Sequence, residues 1–324
     1  MNETSPGQSS AASFLRLILL GASIGIPAAL VAALFLGFIH YLEGWLWDDL
    51  PTALGSSSPQ WYLVIGLPFV GACLVLFARR LLPGDGGHPP LEGLSAEPTP
   101  VANGPGVAVA ATGTLGFGAV LGPEAPVIAL GSVVGMALAQ LARLGQKGRA
   151  LLSSAGSFSA ISALFGGPIV AGMLLVEAGI GQGAALLPAL IPGLVAAAVG
   201  YLVFIGFGDW GGLDAPGLKE PGLPVYEGTH LGDLAVAVAV GVTTALVLVA
   251  VRRLALRVDG LGTGERRLGM AWLLLGGGLA VGVIAEGASL LGADSQDVLF
   301  SGQASVPNVV AEDSTKIILV LLAA

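Results

Sequence analysis

Glu124 is the only ionisable side chain between Glu97 and Arg143, and it lies in the short stretch LGPEAPV, residues 121–127. Pro126 follows it by two residues and fits the first turn of a helix, where the missing N–H of proline is not needed. The apolar run VIALGSVVGMALAQLA then continues as a helix. Glu124 is thus predicted at a helix N-terminus, whose free N–H groups and partial positive charge favour a carboxylate or a bound anion.

Two interpretations of this glutamate are open at this point. In the first, Glu124 caps a helix in a surface loop. In the second, the turn lies inside a membrane, where an ionisable group costs about 2.5–3.5 kcal/mol and marks a pathway. The second is favoured because short apolar segments flank the turn on both sides, and because another Gly/Pro-rich turn, PGDGGHPPLEG at 83–93, also precedes an apolar segment.

The composition predicts an integral membrane protein. Of the 324 residues, 54% are hydrophobic and 10% are charged, and the mean hydropathy is +0.86. Too few polar side chains remain to cover a soluble fold. The alternating pattern of a membrane barrel is missing, so the predicted class is all-α. The 51 glycines and 20 prolines suit helices that pack closely and are often broken.

The apolar segments have unequal lengths, and several in the middle of the chain are too short for the roughly 20 residues that cross a bilayer. Short apolar segments separated by Gly/Pro turns predict broken helices whose ends meet inside the protein. The predicted segments are 14–39, 61–82, 104–121, 126–142, 150–164, 168–180, 184–206, 231–251 and 268–291, with a tenth beginning at Ser314.

Charge distribution predicts the orientation. Five arginines lie in the connector after 251, which the positive-inside rule places in the cytoplasm. The loops at 207–233 and 292–313 are acidic and are predicted to face outward. The polar N-terminus, residues 1–13, lacks the basic region and cleavage site of a signal peptide, so the first apolar segment is predicted to be retained.

Three motifs in order resemble the CLC family of chloride channels and chloride/proton exchangers. They are GDGGHPPLEG, GTLGFGAVLGPEAPVIALG and, about 30 residues on, ALFGGPIVAGMLLVEAG. The corresponding family segments read GSGIPE, GxxxGxEGPxxxxG and FNAPLAGxxFxxEE. The resemblance extends from about Phe14 to the end of the chain and covers the N-terminal two-thirds of the family's membrane domain.

The resemblance implies roles for individual residues. Glu124 matches the family's gating glutamate, whose carboxylate occupies an anion site when ionised and leaves it when protonated or displaced. The amides of the surrounding loop and helix start would cradle that site, and the earlier loop would form the central chloride site. The implied anion-binding residues are Gly122, Pro123, Ala125, Pro126 and Val127, together with Gly86, Gly87, His88 and Pro89.

The sequence also departs from the family pattern. The family's serine at the central site falls on Gly86, so a hydroxyl donor is missing and chloride specificity is in question. His88 replaces an apolar residue; it would strengthen anion attraction if charged, or hydrogen-bond a nearby carbonyl if neutral. The inner glutamate by which exchangers relay protons follows the position of Glu177, and here that position is Ala178. Glu177 itself is predicted to cap or brace a helix end.

These features predict a CLC-like inverted-repeat bundle of tilted and broken helices. The polar tail is 1–13, the first repeat 14–206, the outer loop 207–230 and an incomplete second repeat 231–324. The predicted function is channel-like anion transport gated by Glu124, with an antiporter of altered proton path or a truncated, non-conducting membrane protein as alternatives. The chain ends within an apolar helix, which predicts a fragment or a truncated product.

The resemblance further implies a homodimer in the plasma (inner) membrane that carries chloride or a similar small anion, with protons as a further possible substrate. No Cys/His cluster, P-loop or nucleophile elbow is visible in the sequence, and His40 and His230 lie at segment ends without partners. We therefore predict no catalysis, no cofactor, no metal and no nucleic-acid partner.

Overall fold

A computed structural model describes residues 11–84, 97–177, 186–206, 211–213, 228, 230–263, 269–302 and 305–324. Within these ranges the chain is helical and contains no strand. The α-helices are α1 (Ala11–Gly44), α2 (Leu50–Ala53), α3 (Trp61–Leu81), α4 (Gly104–Leu115), α5 (Glu124–Leu141), α6 (Gln146–Phe165), α7 (Pro168–Glu177), α8 (Leu186–Ile205), α9 (Leu231–Thr263), α10 (Met270–Leu290), α11 (Val306–Ala311) and α12 (Thr315–Ala323).

Six of the described helical segments are long and apolar enough to cross a membrane. They are Leu15–Ala53, Trp61–Leu81, Glu124–Leu141, Leu186–Ile205, Leu231–Leu261 and Met270–Leu290. The prediction of short helices is correct for α4, with 12 residues, and α7, with 10. It is wrong for the segments 126–142 and 150–164, because the helices there extend to 18 and 20 residues.

Helix α6 forms the centre of the first bundle, where it packs against α1, α5, α7 and α8. All of its residues from 152 to 164 are buried. Serine hydroxyls on this helix donate to backbone oxygens of three neighbours: Ser159 to Gly25 in α1 at 2.7 Å, Ser157 to Ile128 in α5 at 3.0 Å, and Ser162 to Ala197 in α8 at 3.2 Å. Such bonds between helices replace the water that a buried hydroxyl has lost.

Glycines allow α5 and α6 to touch at backbone distance. A Cβ atom built on Gly131 would lie 2.5 Å from the backbone oxygen of Gly156, and one on Gly135 would lie 2.6 Å from the Cα of Ser153. Gly131 and Gly135 form a GxxxG pair, the spacing that puts two small residues on one helix face. The two helices are therefore in backbone contact at these glycines.

Helix α3 is the centre of a second packed group, between α4 and α10. Gly71 and Gly113 bring α3 against α4, and Gly278 and Gly282 bring α10 against α3. In contrast, none of the apolar window of α9 is buried against the rest of the described chain. Helix α9 is also 12 residues longer than the predicted segment 231–251. The predicted segment stops where hydropathy falls at the charged residues, but the helix continues through them.

We predict that Gly135→Ala lowers the thermal stability of the protein in detergent, because its Cβ would overlap the backbone of Leu152 and Ser153. Overpacking of this kind costs about 1–3 kcal/mol. The matched control is Gly276→Ala in α10, where an added Cβ meets no atom within 4 Å. Fluorescence-detected size exclusion after heating compares the two variants. Equal melting temperatures would contradict the proposed backbone contact.

Candidate anion site

The loop between α4 and α5 is held by hydrogen bonds and by an aromatic side chain. After α4, the N–H of Ala119 donates to Thr114 O at 3.0 Å, and Gly118 adopts a φ of +83°. Trp47 packs against Gly118, and its indole N–H donates to Gly116 O at 3.1 Å. A Cβ on Gly118 would lie 2.8 Å from the Trp47 ring, so both the conformation and the space require glycine.

Glu124 is the first residue of α5, and Pro123 occupies the N-cap position with φ −78° and ψ −2°. The sequence prediction that the helix begins at Pro126 is therefore off by two residues. The reason is that the first turn of a helix leaves its N–H groups unpaired, so proline is tolerated throughout that turn. Placing Glu124 inside the first turn brings its carboxylate close to the positive end of the helix.

Two prolines limit which amides at this helix start can bind an anion. Pro123 and Pro126 have no N–H, and the N–H of Val127 already donates to Pro123 O at 3.0 Å. The N–H groups that make no hydrogen bond with any described residue are those of Gly122, Glu124 and Ala125. The predicted cradle thus reduces to a small set of donors at one helix end, which is a suitable arrangement for a small anion.

The Glu124 side chain folds back over Gly122. A Cβ atom on Gly122 would lie 2.8 Å from Glu124 Oε1, so the space beside this glycine is filled by the carboxylate itself. The side chain is half-buried and makes no hydrogen bond or ion pair with another residue in the described part of the chain. Glu124 therefore does not form the hydrogen-bonded helix cap that the surface-loop interpretation requires.

The other part of the predicted anion site is the earlier Gly/Pro-rich loop at 83–93. Its anion-binding candidates, Gly86, Gly87, His88 and Pro89, lie outside the described residues. Its two flanks are described. Gly84, with φ +92°, lies against Asn103, the N-cap residue of α4, and Gly106 in the first turn of α4 lies against Pro83 O. The chain before the loop thus contacts the N-terminal end of α4.

The family comparison identifies the fold. The profile of the voltage-gated chloride channel family matches residues 70–324 of the chain. The chain belongs to the CLC family. It is an integral, multi-pass membrane protein of a family of ion channels and transporters.

About half of the chain also matches curated relatives. The chain is 32% identical over 171 residues to YfeO of Escherichia coli O6:H1, a protein named for a proposed role in ion transport, and 34% identical over 173 residues to YfeO of Escherichia fergusonii. Each match includes 52% of this chain and 40% of the relative. The chain thus aligns with less than half of the length of these relatives.

Solved structures confirm the CLC fold over nearly the whole chain. A slow cyanobacterial Cl⁻/H⁺ antiporter superposes with a TM-score of 0.70 at 18% identity, covering 94% of this chain and 70% of that protein. A CLC-type fluoride/proton antiporter superposes with a TM-score of 0.65 at 20% identity, covering 97% and 76%. The bundle of long and broken helices predicted from the sequence is confirmed, whereas the division into two inverted repeats stays a prediction.

Of the two residues that matched the CLC proton path, Glu177 is described and Ala178 lies outside the described residues. Glu177 is the last residue of α7, and its side chain is exposed. A carboxylate at a helix C-terminus faces the negative end of the helix dipole. Its predicted role in bracing a helix end stays a prediction. Among the described residues, no group of three or more His, Cys, Asp or Glu is placed to hold a metal ion.

Sequence reasoning missed Ser132, which is 1% exposed and lies two turns into α5. Its hydroxyl oxygen accepts from the N–H of Thr99 at 2.8 Å and lies 2.6 Å from Ser153 Oγ. Thr99 follows the Gly/Pro-rich loop at 83–93 and leads into α4. Ser132 therefore connects the segment after that loop to the helix that begins at Glu124. A single serine in an apolar run shows no sign of this role in the sequence.

We predict that Ser132→Ala destabilises the protein by about 1–3 kcal/mol, because the Thr99 N–H and the Ser153 hydroxyl each lose a buried partner. Ser23→Ala is the matched control, since Ser23 is exposed and bonds only to Leu20 O within its own helix. Thermal unfolding in detergent compares the two variants. A melting temperature for Ser132→Ala equal to that of Ser23→Ala would contradict the assignment.

Proposed function

We propose that the chain takes part in transmembrane transport of a small anion, with Glu124 as its gate. The observation that carries the proposal is the place of Glu124 in the first turn of α5, among amide groups that no described residue uses. A carboxylate there competes with a free anion for the same donors. Protonation or displacement of the carboxylate would free the donors for the permeant ion.

The physical chemistry of the site favours an anion that binds and leaves. Helix N-termini supply partial positive charge and N–H donors without a full cation. Conduction requires attraction strong enough to remove the ion from water but weak enough to release it. Chloride is the first candidate because of the family match, while the glycine at position 86 leaves nitrate or fluoride as alternatives to be compared in the same assay.

We further propose channel-like transport, since Ala178 has no titratable group to pass a proton to Glu124. A coupled anion/proton antiporter is the second candidate. It is favoured by the fact that the two solved structures compared above are described as antiporters. A homodimer in the plasma membrane accompanies either candidate, by analogy with the family. A chain that conducts no anion by itself is the third outcome to be tested.

Glu124→Gln tests the gate. Glutamine has the shape of a protonated glutamate but cannot ionise, so we expect the dependence of anion flux on pH to disappear. Anion efflux from liposomes is measured at acidic and at neutral pH. Glu177→Gln removes the same charge from an exposed position and is expected to keep the pH dependence of the unaltered protein.

An unchanged pH dependence in Glu124→Gln would contradict the gate. If neither the unaltered protein nor Glu124→Gln conducts any anion although both are well folded, the chain alone does not form a pore. Chloride, nitrate and fluoride are each supplied in turn, so that a wrong choice of anion is distinguished from a lack of transport.

Proton coupling is tested in the same liposomes with a proton electrode. We expect a chloride gradient to drive no proton movement, because the position that would relay the proton is alanine. Ala178→Glu restores a carboxylate there and serves as the matched variant. Proton uptake by the unaltered protein in fixed proportion to anion flux would contradict the channel proposal. It would indicate an antiporter that uses another proton path.

A further inference from the structure

Three segments far apart in the chain meet at the loop that precedes Glu124. The first is a single π-helical turn, Trp45–Asp49, which directly follows α1. The second is the loop 116–123 itself, here called the gate loop, which leads from the C-cap of α4 to the N-cap of α5. The third is the turn at 298–302, which follows α10. The gate loop therefore has neighbours from both packed groups of helices.

Trp47 holds the start of the gate loop. It is 2% exposed, and a buried indole N–H needs an acceptor because burial removes it from water. The acceptor is Gly116 O, at 3.1 Å. The six-membered part of the indole lies against Gly118, so one side chain contacts both glycines of this turn.

Phe300 contacts the same turn through its ring and its backbone. Its N–H donates to Gly118 O at 3.4 Å, and its ring meets the Trp47 ring edge to face, with centroids 5.2 Å apart and planes at 75°. Phe300 adopts a φ of +64°, which is unusual for a bulky residue and persists only where surrounding contacts hold it. Leu299, just before it, is fully buried and also lies against Gly118.

These contacts bear on the gate because one of the three N–H donors at the candidate anion site belongs to the gate loop. The donors of Glu124 and Ala125 are on α5, whose position is set by its contact with α6. The donor of Gly122 lies before that helix. Within the described chain, the hydrogen bonds that the gate loop receives from segments other than α4 and α5 come from Trp47 and Phe300.

We propose that Trp47 and Phe300 are positioning residues for the Glu124 gate, which keep the Gly122 amide beside the amides of α5. The inference rests on the function proposed above and adds two residues that lie outside the three motifs of the family resemblance. A free anion can follow an amide that has moved, whereas the carboxylate is tethered to α5. Loss of either contact therefore weakens binding of the carboxylate more than binding of the anion.

Anion efflux from liposomes at acidic and at neutral pH tests the positioning role. Trp47→Phe removes the indole N–H and keeps an aromatic ring, and Phe300→Leu removes the ring contact and keeps an apolar side chain. We expect each variant to lower the ratio of acidic to neutral flux by about two- to ten-fold, the factor for one hydrogen bond or one aromatic pair. The reason is that the carboxylate leaves its site more often at neutral pH. Trp61→Phe is the matched control and keeps the ratio, since Trp61 is 64% exposed and its ring pairs with Tyr62.

The same substitutions in the Glu124→Gln protein separate positioning from a general structural effect. Glutamine has no charge for the amides to bind, so we expect Trp47→Phe and Phe300→Leu to leave the flux ratio of Glu124→Gln unchanged. A change of equal size in both backgrounds would overturn the proposal. An unchanged ratio in the Glu124 background, while Glu124→Gln abolishes the pH dependence, would also overturn it and leave the gate intact.

A spin label tests the hold on the gate loop whether or not the chain conducts. Val120 lies in the gate loop and is 55% exposed, and Val283 on α10 is 51% exposed. A nitroxide is attached at Val120→Cys or Val283→Cys after the exposed Cys73 is changed to serine. We expect Trp47→Phe and Phe300→Leu to increase the mobility of the label at 120 and not at 283.

Unchanged mobility at 120 would overturn the proposal, and so would an equal increase at both positions. If no variant conducts an anion, the spectra at 120 decide. Increased mobility at 120, together with a pH dependence of flux that survives Glu124→Gln, would support the hold on the gate loop and contradict the gate alone. Should either Trp47→Phe or Phe300→Leu not fold, the other variant carries the same test.

Discussion

The arrangement of the candidate site depends on the backbone contact between α5 and α6. Gly131 and Gly135 on α5 lie against backbone atoms of Gly156, Leu152 and Ser153 on α6. Helix α6 is buried from 152 to 164 and is bonded to α1, α5 and α8 by serine hydroxyls. The position of α5 is therefore set by the whole bundle, and with it the position of Glu124 at the helix start.

The hydrogen bonds of the bundle explain how a charge is accommodated in an apolar chain. Hydrocarbon offers no hydrogen bonds, so a buried polar group must be satisfied within the protein or carry a cost. The serines of α6 are mostly satisfied by carbonyls of adjacent helices, while at the start of α5 a few amides have no partner among the described residues. Pro123 and Pro126 reduce these amides to a small group, against which the carboxylate of Glu124 folds.

The sequence predicted the presence of most helices better than their ends. Hydropathy located α3, α8 and α10 to within a few residues, because their ends coincide with changes from apolar to polar sequence. It failed at α9, where the helix continues through VRRLALRVDGLGT, since arginine and leucine favour helix regardless of the surrounding solvent. It also shortened α6, whose N-terminal turn, QKGR, is polar but helical.

The sequence by itself determined the membrane class, the family and the identity of the gating candidate, because an isolated carboxylate between Gly/Pro turns and apolar segments is a local pattern. Only the tertiary structure decided which amides beside Glu124 make no hydrogen bond with a described residue, and that Ser132 ties the segment before α4 to α5. These depend on which helices touch and at what depth, and contacts between residues distant in the chain leave no periodic signal in one sequence.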